Sequence, residues 1–311
     1  MAMASRGGMP TSWCETSPGA GGTAHGLRTI KNQRVMKTLQ EAISKMESRG
    51  GIGQSIRKHM AAVGINEWSD ITRSALYEFH DHLTANVAPA TAKTISAHVK
   101  ALLNRYSDEV ELPTGWAKIL SVKSQKPSKT YLTEEELRRI ANAPVRTTKQ
   151  TLVKNLFLIC AYTGLRVGDA MNLTTENIVD GNLHYVAQKT KKAGAIPLKA
   201  GLDERIKWVS EHRDVTVTLK SYNEAVRKIC KDAHIDDEVV VFKGGKELKG
   251  PKWRFVSSHT ARVSTATCLS KRGVPVGDIM KLLQHSGTAM TERYIVRDRV
   301  DLSQRAMAFF A

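Results

Sequence analysis

A polar stretch near the middle of the chain, residues 121–130 (SVKSQKPSKT), divides the sequence into two parts. Lysine and serine dominate it and a proline interrupts it, which is typical of an extended linker. Directly after it, Thr133 and Glu136 have the spacing of a capping box at the start of a helix. The sequence therefore predicts two folded units, with the second beginning at about Tyr131.

The first part is predicted to be helical. Residues 1–26 are rich in glycine, alanine, serine and threonine and are predicted to be a disordered leader. Over residues 27–110 apolar side chains recur at helical spacing, and Pro89 stands at a natural helix start. Residues 111–130 are predicted to link this helical unit to the next one.

The second part, residues 131–311, is predicted to be mostly helical with one small antiparallel sheet. The apolar run TLVKNLFLICAYTG indicates a buried helix that ends at Gly164, and NLHYVAQKTKKAGAIPL indicates two short strands around a turn. Several amphipathic helical patterns follow. The fold class is therefore mainly α, with a helical N-terminal domain and a mixed α/β second domain.

The charge of the chain predicts a polyanionic partner. The 311 residues include 47 Lys and Arg against 30 Asp and Glu, a net charge of +17, and both parts of the chain share the excess. Lysine and arginine contacts to phosphates supply most of the non-specific affinity for nucleic acids. No phosphate-binding GxxxxGK[ST] loop, GxGxxG motif or HExxH metal motif occurs, so we expect neither nucleotide hydrolysis nor a metal cofactor.

Cysteine usage and hydropathy exclude two further classes. The four cysteines lack the spacing of a zinc site or of a disulfide framework, and no apolar run is long enough to span a membrane. A signal peptide pattern is also missing. We therefore expect a cytoplasmic protein associated with the nucleoid.

The hexapeptide SSHTAR, residues 257–262, is a candidate anion site. If a helix begins at Ser258, the serine caps it, and His259 and Arg262 share the face of the first turn. Free backbone amides and the helix dipole favour an anion there.

Four segments in order carry a family resemblance: AYTGLRVGDAMNL, QKTKKAGAIPL, SSHTAR with the helix after it, and LLQHSGTAMTERY. They resemble the catalytic motifs of the tyrosine recombinases, or phage-type integrases, including a tyrosine nine residues after a histidine. The likeness covers residues 131–311. Residues 28–107 resemble more weakly the helical core-binding (SAM-like) domain of that family.

The resemblance implies roles for the phosphate-binding residues. Arg166 and Arg262 would clamp the scissile DNA phosphate, since each guanidinium can donate paired hydrogen bonds to phosphate oxygens. His285 would add a hydrogen bond to the same phosphate. Asp169, one helical turn after Arg166, would orient that arginine, although a plain surface carboxylate is the alternative.

The resemblance also implies which residues transfer protons and which residue forms the covalent bond to DNA. Tyr294 would be the nucleophile and His259 would help to accept its proton, leaving a 3′-phosphotyrosine without metal, ATP or another cofactor. Lys189 would protonate the leaving 5′-oxygen, with Lys191 and Lys192 close enough to leave that choice open.

Four parts of the sequence depart from the family pattern or extend beyond it. Val263 stands where relatives often have histidine or arginine, and Gln284 stands where glycine is common. The basic segment 239–257 is either an extra DNA-contacting hairpin or a solvated loop. The end of the chain after Tyr294 is expected to dock on a neighbouring subunit, with packing on its own domain as the alternative.

The implied partner is double-stranded DNA with a short, partly palindromic site, bound by a homo-tetramer, with an accessory DNA-bending or directionality protein left open. An integrase of a mobile element and a resolvase are both compatible with the sequence. Two other functions are also left open: a DNA-binding regulator that has lost catalysis, and a DNA relaxase of the type IB topoisomerase kind.

Overall fold

The structure is a computed structural model that describes residues 38–47, 51–123, 128–297 and 307. The predicted leader, residues 1–26, and the segment predicted to dock on a neighbour lie outside the described residues, apart from 295–297 and 307. Within the described ranges, no helix is both long and apolar enough to cross a membrane.

The N-terminal unit is a set of helices around one apolar core, as its sequence pattern predicts. Large side chains such as Ile43, Phe79 and Leu103 are completely buried in it. Its fourth helix begins at Pro89, where proline is tolerated because the first amides of a helix have no partner within it. The helices are α1 (Leu39–Glu47), α2 (Ile52–Ala61), α3 (Arg73–Asn86), α4 (Pro89–Tyr106) and α5 (Trp116–Ile119).

The N-terminal unit extends into the segment predicted as linker. The short helix α5 lies within residues 111–130, and Ile119 and Leu120 are buried in the N-terminal core. Isolated apolar residues among polar ones gave too little periodicity to predict this turn of helix.

The second unit combines eight helices with two small sheets among the described residues. The capping box of Thr133 and Glu136 begins its first helix, and Leu132 and Leu137 beside it are buried. The helices are α6 (Glu134–Asn142), α7 (Thr148–Thr163), α8 (Val167–Ala170), α9 (Leu202–Glu211), α10 (Leu219–Asp232), α11 (Ser258–Lys271), α12 (Val276–Leu282) and α13 (Thr288–Glu292).

The helix α7 forms the centre of this unit and packs against α9, α10 and α11. It ends at Gly164, as predicted, in the left-handed conformation at φ 73°. A Cβ at this glycine would stand 2.5 Å from Leu283 Cδ2, so no other residue fits without displacing that leucine.

Two antiparallel sheets lie in the second unit. The strands β1 (Ile178–Val179), β2 (Asn182–Val186) and β3 (Ala193–Pro197) form one sheet in the order β1-β2-β3. The other is a hairpin of β4 (Glu238–Lys243) and β5 (Lys246–Pro251), which makes part of the segment 239–257 a hairpin rather than an irregular loop.

The helix α11 begins at Ser258, as the sequence analysis supposes, but its cap is the serine before it. Ser257, not Ser258, is the N-cap, and it forms a capping box with Thr260. Two consecutive serines gave the sequence no means of choosing between the two positions. His259 and Arg262 remain within the first turns of the helix.

The end of the linker joins the β4–β5 hairpin. Ser128 N donates to Phe242 O at 3.1 Å, and Phe242 N donates to Ser128 Oγ at 2.5 Å. At the tip of the hairpin, a Cβ on Gly245 would lie 3.1 Å from Pro89 Cγ of α4. The hairpin therefore contacts both the linker and the N-terminal unit.

A buried ion pair fixes the hairpin to the start of the second unit. Lys252 Nζ lies 2.7 Å from both carboxylate oxygens of Glu136, and both residues are less than a tenth exposed. The same carboxylate accepts a hydrogen bond from Thr133 N at 2.6 Å. Removal of one partner from such a pair leaves a buried, uncompensated charge.

We expect Lys252→Met to lower the free energy of unfolding by about 3 kcal/mol, because Glu136 would stay buried without its counter-ion. Arg138→Met is the matched control, since Arg138 pairs with Glu135 at the surface and its loss should change stability much less. Urea unfolding followed by circular dichroism measures both values. Equal effects of the two substitutions would contradict the assignment.

Candidate active site

The guanidinium of Arg262 lies at the centre of the candidate site. It is 4% exposed, and its two terminal nitrogens donate to the backbone carbonyls of Gly164 and Leu283. Its Nε is buried and has no hydrogen-bond partner among the described residues. Burial lowers the pKa of Arg262, and the neighbouring charge of Arg166 adds to this effect.

Arg166 and Asp169 lie beside it at the N-terminus of α8. Arg166 Nη1 is 3.8 Å from Asp169 Oδ2, and the arginine side chain is 32% exposed, which leaves it accessible to a ligand. The other oxygen of Asp169, Oδ1, accepts a hydrogen bond from Gln188 N at 2.9 Å. Asp169 is thus buried and bonded on both sides, not a plain surface carboxylate.

His285 follows α12 and is 5% exposed. Its Nδ1 lies 3.0 Å from Thr291 Oγ1, and its Nε2 is buried without a partner among the described residues. Burial first, and then the positive charges of Arg262 and Arg166, lower the pKa of His285 to about 4. The ring is therefore neutral near pH 7.

His259 lies near the N-terminus of α11 and keeps access to solvent. Desolvation by the surrounding protein atoms lowers its pKa to about 4, and the charges of Lys129, Arg262 and Arg166 act in the same direction. A neutral imidazole at this position can accept a proton.

Tyr294 lies among these groups. Its ring centroid is 4.8 Å from that of His259 and 4.7 Å from that of His285, and Arg262 Cζ lies 5.7 Å from it. Thr267 of α11 holds the backbone at Tyr294 and just after it. Its Oγ1 donates to Tyr294 O at 3.3 Å and accepts from Val296 N at 3.0 Å.

The sequence analysis did not identify Lys129, which also contacts Tyr294. Lys129 Nζ lies 4.2 Å from the centroid of the tyrosine ring and donates to the carbonyl of Arg293. Burial and the charge of Arg293 lower the pKa of this lysine. Its position in a lysine-rich linker gave no signal that distinguished it from solvated neighbours.

Lys189 is exposed on the turn between β2 and β3. No hydrogen bond or ion pair joins its side chain to the other candidates within the part of the chain that the structure describes. Lys191 and Lys192 are exposed on the same turn, and Lys191 has a positive φ of 55°. The fold thus brings together Arg166, Asp169, His259, Arg262, His285 and Tyr294, with the Lys189 turn attached through Gln188.

Polar ties also fix the end of α12. Tyr185 Oη in β2 donates to Leu282 O at 3.3 Å, and Arg262 donates to the next carbonyl, of Leu283. Gln284 follows in the left-handed region at φ 51°, and its side-chain Nε2 donates to Lys192 O at 3.1 Å. This backbone conformation favours glycine, the residue that is common at this position in the family. Gln284 departs from that pattern and places a side chain where the backbone favours a residue without one.

A basic cleft lies next to His259. Its lining includes residues from the linker, from α10, from β4 and the turn after β5, and from the start of α11: Ser128, Lys129, Arg227, Lys243, Arg254 and His259. Phosphate groups of a nucleic acid suit a cleft of this charge.

The chemistry that this arrangement supports is transfer of a phosphoryl group to a tyrosine. Two arginines, two neutral histidines and the phenol of Tyr294 lie close together. Two buried nitrogens, Arg262 Nε and His285 Nε2, have no hydrogen-bond partner among the described residues. Donors of this kind stabilise developing negative charge on phosphate oxygens. No cluster of three or more metal-ligating side chains occurs in the described ranges.

Several known proteins are similar to this chain. A model described as the phage integrase family covers residues 130–299. The integrase of Enterobacteria phage P21 is 26% identical over 257 residues, which cover 78% of this chain and 66% of that integrase. The tyrosine recombinase XerC of Myxococcus xanthus is 28% identical over 241 residues, which cover 72% of this chain and 77% of XerC. This chain therefore spans about two thirds of the length of the phage relative.

Solved structures share the fold. A lambda integrase dimer bound to a COC′ core site has a TM-score of 0.61 at 19% identity, covering 85% of this chain and 97% of that chain. A lambda integrase tetramer bound to a Holliday junction has a TM-score of 0.59 at 17% identity, covering 85% and 80%.

We expect stability to fall as the pH drops from about 6.5 towards 4. The unfolded chain binds protons at His285 in this window, with its pKa near 6.5, whereas the folded site with a pKa of about 4 does not. His285→Asn should reduce the slope of unfolding free energy against pH, by at most about 1.4 kcal/mol per pH unit. Urea unfolding at about pH 7, 5.5 and 4.5 measures it, and an unchanged slope would contradict the assignment.

Proposed function

Because the chain belongs to the phage integrase family, the tyrosine recombinases, we propose that it cuts and rejoins double-stranded DNA at a specific site through a 3′-phosphotyrosine intermediate. The observation that carries this proposal is the packing of Tyr294 against Arg262, His259 and His285. Arg262 Nε and His285 Nε2 are both buried and unpaired among the described residues, and a phosphate oxygen would satisfy each.

In the cleavage step the Tyr294 oxygen attacks the phosphorus of the scissile phosphodiester. A bond forms between the tyrosine oxygen and phosphorus, and the bond from phosphorus to the 5′-oxygen breaks. The phenolic proton passes to His259, which is neutral before the reaction because its pKa is about 4. The phosphate's own negative charge raises the pKa of a neighbouring histidine and so favours this transfer.

The leaving 5′-oxygen requires a proton, and Lys189 is the proposed donor. Its side chain is exposed, and Asp169 connects the residue before it to Arg166. Lys191 and Lys192 share the turn and are the alternatives. Arg166 and Arg262 hold the oxygens of the pentavalent transition state, a task that suits the paired donors of a guanidinium.

The proposed reaction needs neither ATP nor a metal ion. One phosphodiester is exchanged for another, so the bond energy is retained in the phosphotyrosine and a 5′-hydroxyl can reverse the step. The arginines and the histidines supply the charge stabilisation that metals supply elsewhere.

The proposed partner is a partly palindromic DNA duplex, bound between the N-terminal unit and the second unit. The net charge of +17 and the basic cleft beside His259 support DNA binding. The lambda integrase structures contain DNA and more than one subunit, which supports assembly as a tetramer on the site. Action on DNA places the proposed activity in the cytoplasm, at the nucleoid, with an accessory protein as an optional component.

We expect Tyr294→Phe to abolish covalent attachment to DNA and to leave binding and its salt dependence nearly intact, because only the nucleophilic oxygen is lost. Sheared DNA from the gene's own locus is incubated with each protein, without magnesium or ATP, and fragments that stay bound in detergent are sequenced. Enrichment of one short site with the wild type alone would support the proposal.

Other outcomes of this experiment select the alternatives. Tight binding by both proteins without any covalent DNA would favour a catalytically inactive regulator. Covalent attachment that is spread over many sequences would favour a relaxase. An unchanged covalent yield with Tyr294→Phe would contradict the assignment of the nucleophile.

We expect Lys129→Met to slow covalent attachment about 3- to 30-fold, because the ammonium that contacts the Tyr294 ring and the Arg293 carbonyl is lost. Lys123→Met is the matched control, since Lys123 is an exposed lysine in the same linker and removes the same charge. Single-turnover cleavage of the captured site measures both. Equal rates for the two variants would contradict a role for Lys129 at the nucleophile.

A further inference from the structure

Gln284 connects the phosphate-binding end of α12 to the turn that carries Lys189. Its Oε1 accepts a hydrogen bond from Thr190 Oγ1 at 3.3 Å, and its Nε2 donates to Lys192 O at 3.1 Å. The two bonds fall on either side of Lys191, and the glutamine side chain is 8% exposed.

The surroundings of Gln284 are shaped to hold this side chain. Its backbone lies at φ 51°, a region that glycine adopts freely and that other residues rarely adopt. On β3, a Cβ at Gly194 would stand 2.6 Å from Gln284 Nε2 and 3.0 Å from Tyr185, so only glycine leaves room there. The presence of a buried glutamine in an unfavourable backbone conformation indicates that its side-chain hydrogen bonds compensate for the cost of that conformation.

The Lys189 turn is thereby tied at two points. Before Lys189, Gln188 N donates to Asp169 Oδ1 at 2.9 Å, which joins the turn to the Arg166 side of the site. After Lys189, the bonds of Gln284 join the turn to the segment of His285. Lys189 therefore has a backbone that is held on both sides and a side chain that is exposed to solvent.

We propose that Gln284 is a positioning residue that holds the Lys189 turn so that the lysine can protonate the leaving 5′-oxygen. This inference rests on the role proposed above for Lys189. In this role Gln284 acts through the turn and not by contact with the reacting phosphate or with Tyr294. Its loss should weaken proton donation and leave the arginines, the histidines and the nucleophile in place.

A DNA substrate with sulfur in place of the bridging 5′-oxygen at the scissile phosphate distinguishes this role from a structural one. A thiolate leaves without being protonated, so loss of the general acid slows cleavage of the oxygen substrate and not of the sulfur substrate. Damage to the phosphate clamp slows both. The duplex carries the site captured by the wild type, and the rate of covalent complex formation is measured in single turnovers.

Gln284→Gly is the informative variant, because glycine removes the side chain and suits the backbone at φ 51°. We expect it to fold normally and to cleave the oxygen substrate about 10- to 100-fold more slowly, since a displaced acid loses part of the roughly 10²- to 10⁴-fold that general acid catalysis contributes. On the sulfur substrate we expect the rate of the wild type. Thr190→Val, which loses one of the two bonds, should show a smaller defect of the same kind.

Two reference variants separate failure of this inference from failure of the proposed function. Lys189→Ala should be slow with oxygen and restored with sulfur, and Arg166→Lys should be slow with both substrates. If Lys189→Ala is restored but Gln284→Gly is equally slow with both, or is not slow at all, the positioning role is overturned alone. If sulfur does not restore Lys189→Ala, the acid assignment fails and the role of Gln284 with it.

Discussion

Two backbone carbonyls from distant parts of the chain converge on the buried guanidinium of Arg262. Gly164 provides one at the end of α7 and Leu283 provides the other at the end of α12. A charged group costs several kcal/mol to bury unless hydrogen bonds replace its hydration. The two carbonyls supply that replacement, and Gly164 can approach because it has no Cβ. The candidate site therefore assembles only when both helix ends are in place, which couples folding of the second unit to formation of that site.

The last residue of α12 and the three residues after it each contact another part of the site. Leu282, Leu283, Gln284 and His285 are consecutive, and each contacts a different part of the site through a backbone carbonyl or a side chain. This short segment thus fixes the spacing between the β1-β2-β3 sheet, Arg262 of α11 and His285. Residues 283–285 lie outside any helix or strand, so these hydrogen bonds rather than a regular element hold their geometry, which matters where small displacements cost large factors in rate.

The sequence predicted the larger elements well and the finer contacts poorly. The end of α7 at Gly164, the capping box at Thr133 and the start of α4 at Pro89 were predictable because each depends on local chemistry. The candidate site residues were recognised through ordered motifs, and the fold brings six of them together. Lys129 could not be recognised, since its contact with Tyr294 joins residues 165 positions apart and depends on how the linker crosses the second unit. The placement of Ile119 and Leu120 in the N-terminal core was missed for the same reason.

Because Ser128 is hydrogen-bonded to Phe242, a fixed number of residues connects the N-terminal core to the β4–β5 hairpin. Leu120 is buried in the N-terminal core and Ser128 is bonded to β4, eight residues further along the chain. A fully extended chain of that length spans at most about 28 Å. While the pairing at Ser128 holds, Leu120 and Ser128 cannot lie farther apart than this reach, so the opening that the proposed DNA duplex would enter has an upper limit at the linker, set by covalent geometry. Wider separation first requires the linker to detach from the hairpin, and Lys129 to leave the tyrosine with it.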